Sequence, residues 1–303
     1  MKRNIYLKTI PPAEAVARVK ASIDREALIR EETIPSHEAS GRVLAHAVHA
    51  RYSSPTFHSA AMDGYAVNAR STFAAREGHP LTLKAGETCF AVNTGHPMPE
   101  GCDAVIMIEQ VMLDGGSVTI EAPAFPWQHV RRIGEDIVAT ELLFPRNHQL
   151  RPWDVGALLS GGIWDVPVWE RVTVRIIPTG DEVLDFTTHP DPGKGQVVES
   201  NSQMLAALAR ELGCVVERAA PVPDNPEALH QALKDSLDAG RHLTIFCAGS
   251  SAGSKDFTRA TLEKEGEILT HGIAAMPGKP SLLANCRGRL VAGAPGYPVS
   301  ALV

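Results

Sequence analysis

The second half of the chain alternates between two kinds of segment. From Arg171 onward, β-branched runs take turns with helical stretches. "RVTVRIIPTGDEV" reads as a strand ending in a polar turn, and "ESNSQMLAALARELG" as a helix with Ser or Asn at its start and Gly213 at its end. "CVVERAAPVPDNP" is a second strand and turn. "NPEALHQALKDSLDAG" is a helix with Asn225 as N-cap, Pro226 at the first position and Gly240 at the close. "LTIFCAGSSAGSKD" is a third strand running into a Gly/Ser loop, and "LVAGAPGYPVSALV" a later strand ending in a Gly/Pro turn. This order requires a mostly parallel sheet with crossover helices.

The first half has a different texture. "PPAEAVARVKASIDREAL" spaces its apolar residues as a helix does, with Pro near the first turn. Between about Tyr52 and Val138, short alternating runs such as "HPLTLKAG", "DAVIMIEQV" and "GGSVTIEAP" are separated by Gly, Pro and Asp, as in a β-rich module. In "SPTFHSAAMDGYAV", Asp63-Gly64 between short apolar runs is a hairpin signal, with glycine supplying positive φ. "LRPWDVGALLSGGIWDVPVW" follows as a short helix stopped by Gly161-Gly162, then an extended piece. Length, 44% hydrophobic and 21% charged residues suit a globular protein of two or three domains. A formal charge of −6 without a basic block gives no reason to expect nucleic-acid binding. No segment is apolar for long enough to span a bilayer, and the start lacks an apolar signal-peptide core. The five cysteines form no C-x-x-C pair, which argues against structural zinc and disulfides and favours a cytoplasmic setting.

An open parallel sheet binds ligands outside the carboxyl ends of its strands. Four polar loops empty there: "PTGDE" (Pro178 to Glu182), "PDN" (Pro223 to Asn225), "AGSSAGSKD" (Ala248 to Asp256) and "GAPGYPVS" (Gly293 to Ser300). Three carry carboxylates: Asp181 with Glu182, Asp224, and Asp256. A Gly/Ser loop entering a helix offers N–H groups to an oxyanion. Carboxylates beside an anion repel it unless a divalent cation bridges them, so the set suggests an anion–metal site with Mg²⁺. Each stretch also has a purely structural reading: "GSSAGS" as a flexible loop, "TGDE" as a turn with acids at a helix start, "PDNPEAL" as capping, "PGKP" as a rigid turn.

Read together, "SAAMDGYAV", "AVNTGHPMPEGCDAVIMIEQV", "VRRIGEDI", "IIPTGDEVL", "ESNSQMLAAL", "VPDNPEAL", "AGSSAGSKDF", "MPGKPSLLA" and "GAPGYPVSALV" resemble, in order, the MoeA family of molybdopterin molybdenumtransferases, which is similar to the E domains of gephyrin-type proteins. The resemblance covers essentially the whole chain. It implies a multidomain α/β plus β protein: an N-terminal linker domain (1–51 and 139–168), an inserted β-rich domain (52–138) and a three-layer α/β pterin-binding domain (169–303), normally followed by a small β domain. It implies insertion of molybdate or tungstate into adenylyl-molybdopterin with release of AMP, dependence on Mg²⁺, a homodimer, and an upstream adenylyltransferase as partner.

By resemblance, Glu182 and Asp256 hold Mg²⁺ and Asp224 helps position metal or ligand. Thr179, Gly180, Gly249, Ser251 and Gly253 line the ligand cradle, and Asn201 forms the pocket floor. Lys279 and Ser300 face the oxyanion, with Pro298 aiming a helix start at it. Asp63, Thr94 and Asp136 match positions contributed to the cleft by the partner subunit.

Three departures stand out. Met276 replaces the first lysine of the usual "KPGKP", and Gly272 falls where some members carry a lysine; Arg259 or Lys255 would then complete the pocket. "AGSS" replaces "GGVS", and "GYPVS" replaces the commoner "GNPVS". The chain stops at Val303, where a helix should open, as expected of a truncated chain. The alternative reading is a MoeA-like scaffold that binds pterin or oxyanion without turnover.

Overall fold

A computed structural model describes residues 8–247 and 254–302, with the side chains of 254–257 outside the description. The chain divides into two compact units, one of residues 32–168 and one of residues 1–31 with 169–303.

The second of these is an α/β unit. Its strands are β1 (Thr173–Pro178), β2 (Val215–Arg218), β3 (Leu243–Cys247), β4 (Gly266–His271), β5 (Leu282–Cys286) and β6 (Arg289–Ala294), in the sheet order β2-β1-β3-β6-β5-β4. The pairs β2–β1, β1–β3 and β3–β6 are parallel, as the strand–helix alternation requires, whereas β5 and β4 run antiparallel at the far edge. Helices cover both faces. Ile177 and Phe246 point to a core with Leu229, Leu233 and Leu237 of one helix and Leu262 of another. Val174, Ile176 and Cys247 point the other way, against Leu205 and Ala206. Consecutive Ile176 and Ile177 therefore serve opposite faces, the two-residue period of a strand buried on both sides.

The helices are α1 (Pro12–Ser22), α2 (Asn201–Glu211), α3 (Pro226–Asp238), α4 (Ser254–Glu265) and α5 (Pro298–Leu302). Asn225 caps α3 as read from sequence, its Oδ1 accepting the Ala228 N–H at 2.8 Å. The start of α2 is capped differently. Ser200 makes no side-chain cap, and Glu199 instead accepts the Ser202 N–H at 2.7 Å. Helix α1 belongs with this sheet: Ala15 is buried, Arg18 Nη1 donates to the Leu269 carbonyl at 2.8 Å, and Ser22 O accepts from the Asn285 amide. Residues 8–31 thus pack with the α/β region, whereas the sequence reading joins residues 1–51 to 139–168.

The other unit is built of short antiparallel strands. Gly64–Val67 lies between Cys89–Val92 and Ala104–Met107, and Ser117–Ile120 between Leu81–Lys84 and Val111–Asp114. One core gathers Val67, Cys89, Ile106, Val118 and Ile120. A separate core gathers Ala39, Leu44, Phe144, Leu150, Leu158 and Val166.

Asp63-Gly64 is not a hairpin turn. Ser59–Ala60 pairs with Val130–Arg131, while Gly64–Val67 pairs with two other strands. The dipeptide is a bend that carries the chain from one sheet to the next. Gly64 is required by close approach: a Cβ there would stand 2.0 Å from the Ile106 carbonyl oxygen. Since that atom is backbone, it yields only if the strand moves. Gly64→Ala should cost about 2–4 kcal/mol, checked by chemical denaturation; an unchanged midpoint would contradict this packing.

Asp154, buried in the first turn of the helix Pro152–Ser160, accepts from Arg151 N–H at 2.9 Å and Arg151 Nε at 3.1 Å, and bonds His148 Nε2 at 2.7 Å. Burial pushes its carboxyl up, but the Arg151 side chain, His148 and the Arg151 backbone outweigh that and bring it down to about 2. A folded-state value below the unfolded 3.8 means that the unfolded chain binds more protons between them. The stabilisation is therefore complete above about pH 4–5 and fades as pH falls towards 2. Asp154→Asn should lower stability by about 2 kcal/mol at neutral pH, and the gap should shrink in denaturation curves at pH 3; a constant gap would contradict the assignment.

Candidate functional site

The strand register gathers the polar loops. Pro178 of β1 aligns with Cys247 of β3, and Cys247 with Ala294 of β6, so these three strands end on one level. Because β5 is antiparallel to β6, its first residue, Leu282, sits opposite Gly293, and His271 at the end of β4 sits opposite Leu282. The 272–281 loop that joins β4 to β5 consequently emerges at the same edge. The stretches 179–182, 219–225, 272–281 and 295–300 share one rim of the sheet.

The first two are locked together. Thr179, fully buried, donates its N–H and Oγ1 to the Cys247 carbonyl, at 2.8 and 3.2 Å. Gly180 N–H donates to Val222 O at 3.1 Å, and Asp181 Oδ1 accepts the Asp224 N–H at 3.1 Å. Gly180 has φ +136°, a left-handed conformation that disfavours any side chain. A Cβ there would also lie 2.9 Å from Glu182 Oε2, so glycine lets the Glu182 carboxylate fold back over the turn. Glu182 and Asp224 are half-buried rather than exposed. In the 272–281 loop, Lys279 is exposed and Met276 is 91% exposed. Gly272, at φ +116°, donates to the Ser281 carbonyl at 2.9 Å and closes that loop. Arg259 is engaged along α4 by Glu263 at 2.8 Å. Pro298 opens α5, and Ser300 lies half-buried in the same helix. Gly249, Ser251, Gly253 and the side chains of Lys255 and Asp256 lie outside the described residues.

Between the 296–298 turn and α2 lies a cavity of about 220 Å³, lined by Pro178, Val197, Val198, Asn201, Cys247 and Tyr297 among others. Asn201 is 7% exposed; its Nδ2 donates to Gly296 O at 2.8 Å, and its Oδ1 has no hydrogen-bond partner among the described residues. Glu199, also on the wall, is buried and fully engaged. Its oxygens accept from Ser202 N–H and, at 2.5 Å, from Ser202 Oγ, while Arg218 Nη2 stands at 3.5 Å. Arg218 also donates to Asp185 Oδ1 at 3.0 Å and covers the Phe186 ring. The Thr187 N–H and then the Arg218 guanidinium hold the Asp185 carboxyl below its ordinary range. Burial, helped by the Glu199 charge, pushes the Cys247 thiol up to about 12, so it is no nucleophile at neutral pH. Sequence reasoning missed Glu199 and Arg218; the one local signal was an acid three residues before Ser202, a capping pattern.

In the other unit, Asp63 and Thr94 meet. Asp63 Oδ1 accepts the Thr94 N–H at 2.7 Å and its Oγ1 at 3.0 Å. The backbone bond first, then the hydroxyl, hold this exposed carboxyl below its ordinary value. The 93–97 loop lies beside residues 58–60, which pair in turn with 130–131. Asp136 stands in the next loop, exposed, its N–H donating to Ser54 O at 3.0 Å.

The chain matches the family model for the MoeA N-terminal region (domain I and II) over residues 10–162, and that for a probable molybdopterin binding domain over residues 175–303. It is 34% identical over 292 residues to a molybdopterin molybdenumtransferase of Haemophilus influenzae, spanning 90% of this chain and 69% of that one. It is also 34% identical over 300 residues to molybdopterin molybdenumtransferase 2 of Mycobacterium tuberculosis, spanning 90% of this chain and 72% of that one. Among solved structures, a molybdopterin biosynthesis MoeA protein of Pyrococcus horikoshii superposes with a TM-score of 0.82 at 29% identity, covering 97% of this chain and 76% of that one. With the polar loops on one rim of an α/β sheet and both halves of the chain matched in order, the chain belongs to the MoeA family.

Proposed function

We propose that this chain is a molybdopterin molybdenumtransferase: it inserts molybdate, or the similar tungstate, into adenylyl-molybdopterin and releases AMP. The observation that carries this reading is the shared rim, where the loops with Glu182, Asp224 and Lys279 and the start of α5 with Ser300 leave the sheet at one edge. The chemistry is one of positioning and charge neutralisation. Thr179 and Gly180 shape the turn that presents Glu182, and Asn201 forms the floor. Lys279 and Ser300 supply donors to the oxyanion.

The donor set fits Mg²⁺. The carboxylates of Glu182 and Asp224 are hard oxygen ligands, and Mg²⁺ takes one or two such groups together with phosphate oxygens. Glu182 and Asp256 would hold it, and when bound it would offset phosphate charge. Gly249, Ser251 and Gly253 complete the cradle in this reading. The Asp63–Thr94 pair and Asp136 would serve the cleft of the partner subunit in a homodimer. The region 52–138 is an insertion in the linker domain, and an adenylyltransferase supplies the substrate in the cytoplasm.

Met276 favours a second reading, a MoeA-like scaffold that binds pterin or oxyanion without turnover, because it puts an exposed thioether where the resemblance expects a cation. AMP release from adenylyl-molybdopterin, with Mg²⁺ and molybdate, separates the two: the transferase releases AMP and the scaffold does not.

Glu182→Gln should reduce Mg²⁺-dependent AMP release about tenfold or more while shifting stability by no more than about 0.5 kcal/mol. An unfolded variant would instead make the carboxylate structural. Lys279→Ala should raise the molybdate concentration for half-maximal release about tenfold; an unchanged value would mean that another cation faces the oxyanion.

A further inference from the structure

The loop that carries Lys279 is held from outside as well as from within. Within it, Gly272 N–H donates to Ser281 O and Ile273 N–H to Lys279 O, both at 2.9 Å. Ser281 N–H and Oγ donate to Gly278 O at 3.1 and 2.7 Å. The Ile273 bond thereby fixes the backbone of Lys279 itself. The neighbouring backbone groups of the same leg face the opposite way, towards Ile10. Ile10 N–H donates to Gly272 O at 3.3 Å, and Ile10 O accepts the Ala274 N–H at 2.8 Å, which makes a parallel bridge between Ile10 and Ile273. Residues 272–274 therefore run between Ile10 on one side and Lys279 on the other.

The sequence prepares Ile10 for this pairing. It precedes Pro11, and a residue before proline is driven out of the helical region into extended backbone. Pro11 stands at φ −58° and ψ 147°, and Pro12 then opens α1. Ile10 thus arrives extended, with its N–H and C=O presented and little chain entropy left to lose. Its side chain is 7% exposed. Behind it, α1 is tied to both strands that flank the loop, by Arg18 to the Leu269 carbonyl of β4 and by Asn285 of β5 to the Ser22 carbonyl. A contact that merely closed a sheet edge would support stability and nothing more. This one lies a single rung from the Lys279 backbone.

We infer that Ile10 is a positioning residue for the oxyanion: its backbone pins residues 272–274 and, through Ile273, sets where Lys279 stands. The inference deepens the transferase reading and rests on it for the anion and for the part Lys279 plays. A loop that is fixed before the anion arrives need not be ordered by it, and affinity rises by that saving.

Titration of the full chain with molybdate, in the presence of AMP and Mg²⁺, tests this by calorimetry without needing turnover. Ile10→Gly frees the backbone and removes the buried side chain; it should weaken molybdate about tenfold. Ile10→Val should stay within about twofold of the native protein. In a Lys279→Ala background, Ile10→Gly should change the molybdate Kd by less than about twofold, because the pin acts through Lys279. Hydrogen exchange of the 272–281 segment should quicken about tenfold in Ile10→Gly, with β1 and β3 unaffected. Should Ile10→Gly not fold, Ile10→Ala takes its place in the same comparisons. No molybdate binding by the native protein, native affinity or native loop protection in Ile10→Gly, or an equal loss with and without Lys279 would overturn the inference. AMP release measured in parallel keeps the two claims apart. A native protein that releases AMP while Ile10→Gly binds molybdate normally refutes the positioning role alone. One that binds molybdate through Ile10 and Lys279 yet releases no AMP refutes the transferase reading alone.

Discussion

Parallel pairing of β1 with β3 and of β3 with β6 is the constraint on which the rest of the molecule depends. Parallel strands send their polar exits out at one end, and the register here is level across Pro178, Cys247 and Ala294. Helices can bridge such strands only by crossing the faces, and α2 and α3 do so on opposite sides. The antiparallel return of β5 then brings a fourth polar stretch, with Lys279, to the same rim. Residues separated by a hundred positions in sequence become neighbours along one edge without any long-range polar contact among them being needed.

Beneath that rim lies a buried electrostatic support. Glu199, Arg218 and Asp185 are largely withdrawn from solvent, and each charge has an opposite neighbour. Such a cluster adds little net stability, since desolvation offsets much of the attraction. What it fixes is position. Glu199 caps α2 through Ser202, and α2 carries Asn201, which holds the Gly296 carbonyl beside Tyr297. Arg218 arrives from β2, so the first turn of α2 is tied to a strand on the far side of β1. The floor of the cavity is therefore set by tertiary charge pairing rather than by helix propensity.

Much of this was legible in sequence because it is local chemistry. Asn225-Pro226 states a helix start in two residues, and Gly161-Gly162 states a stop. The polar loops declare themselves as Gly, Ser and Asp after β-branched runs. The antiparallel pair β4–β5 was not legible: its strands flank a Gly/Pro loop whose "PGKP" reads equally well as a rigid turn, and their pairing is set by β6. Asp63-Gly64 misled for a related reason. Both a hairpin and a sheet-to-sheet bend need a glycine, and only the approach of Ile106 O distinguishes them. The Asp63–Thr94 bond joins two motifs read separately. Arg218, one of many arginines in the sequence, has no local mark of the two acids it meets.

The central claim is that the oxyanion is handled at the carboxyl edge of this sheet. A crystal grown with molybdate, AMP and Mg²⁺, with anomalous data collected at the molybdenum edge, measures that directly. The account predicts one strong molybdenum peak beside the 272–281 loop, within hydrogen-bonding reach of Lys279 and Ser300. A peak at the opposite edge of the sheet, or confined to the residue 32–168 unit, would contradict it.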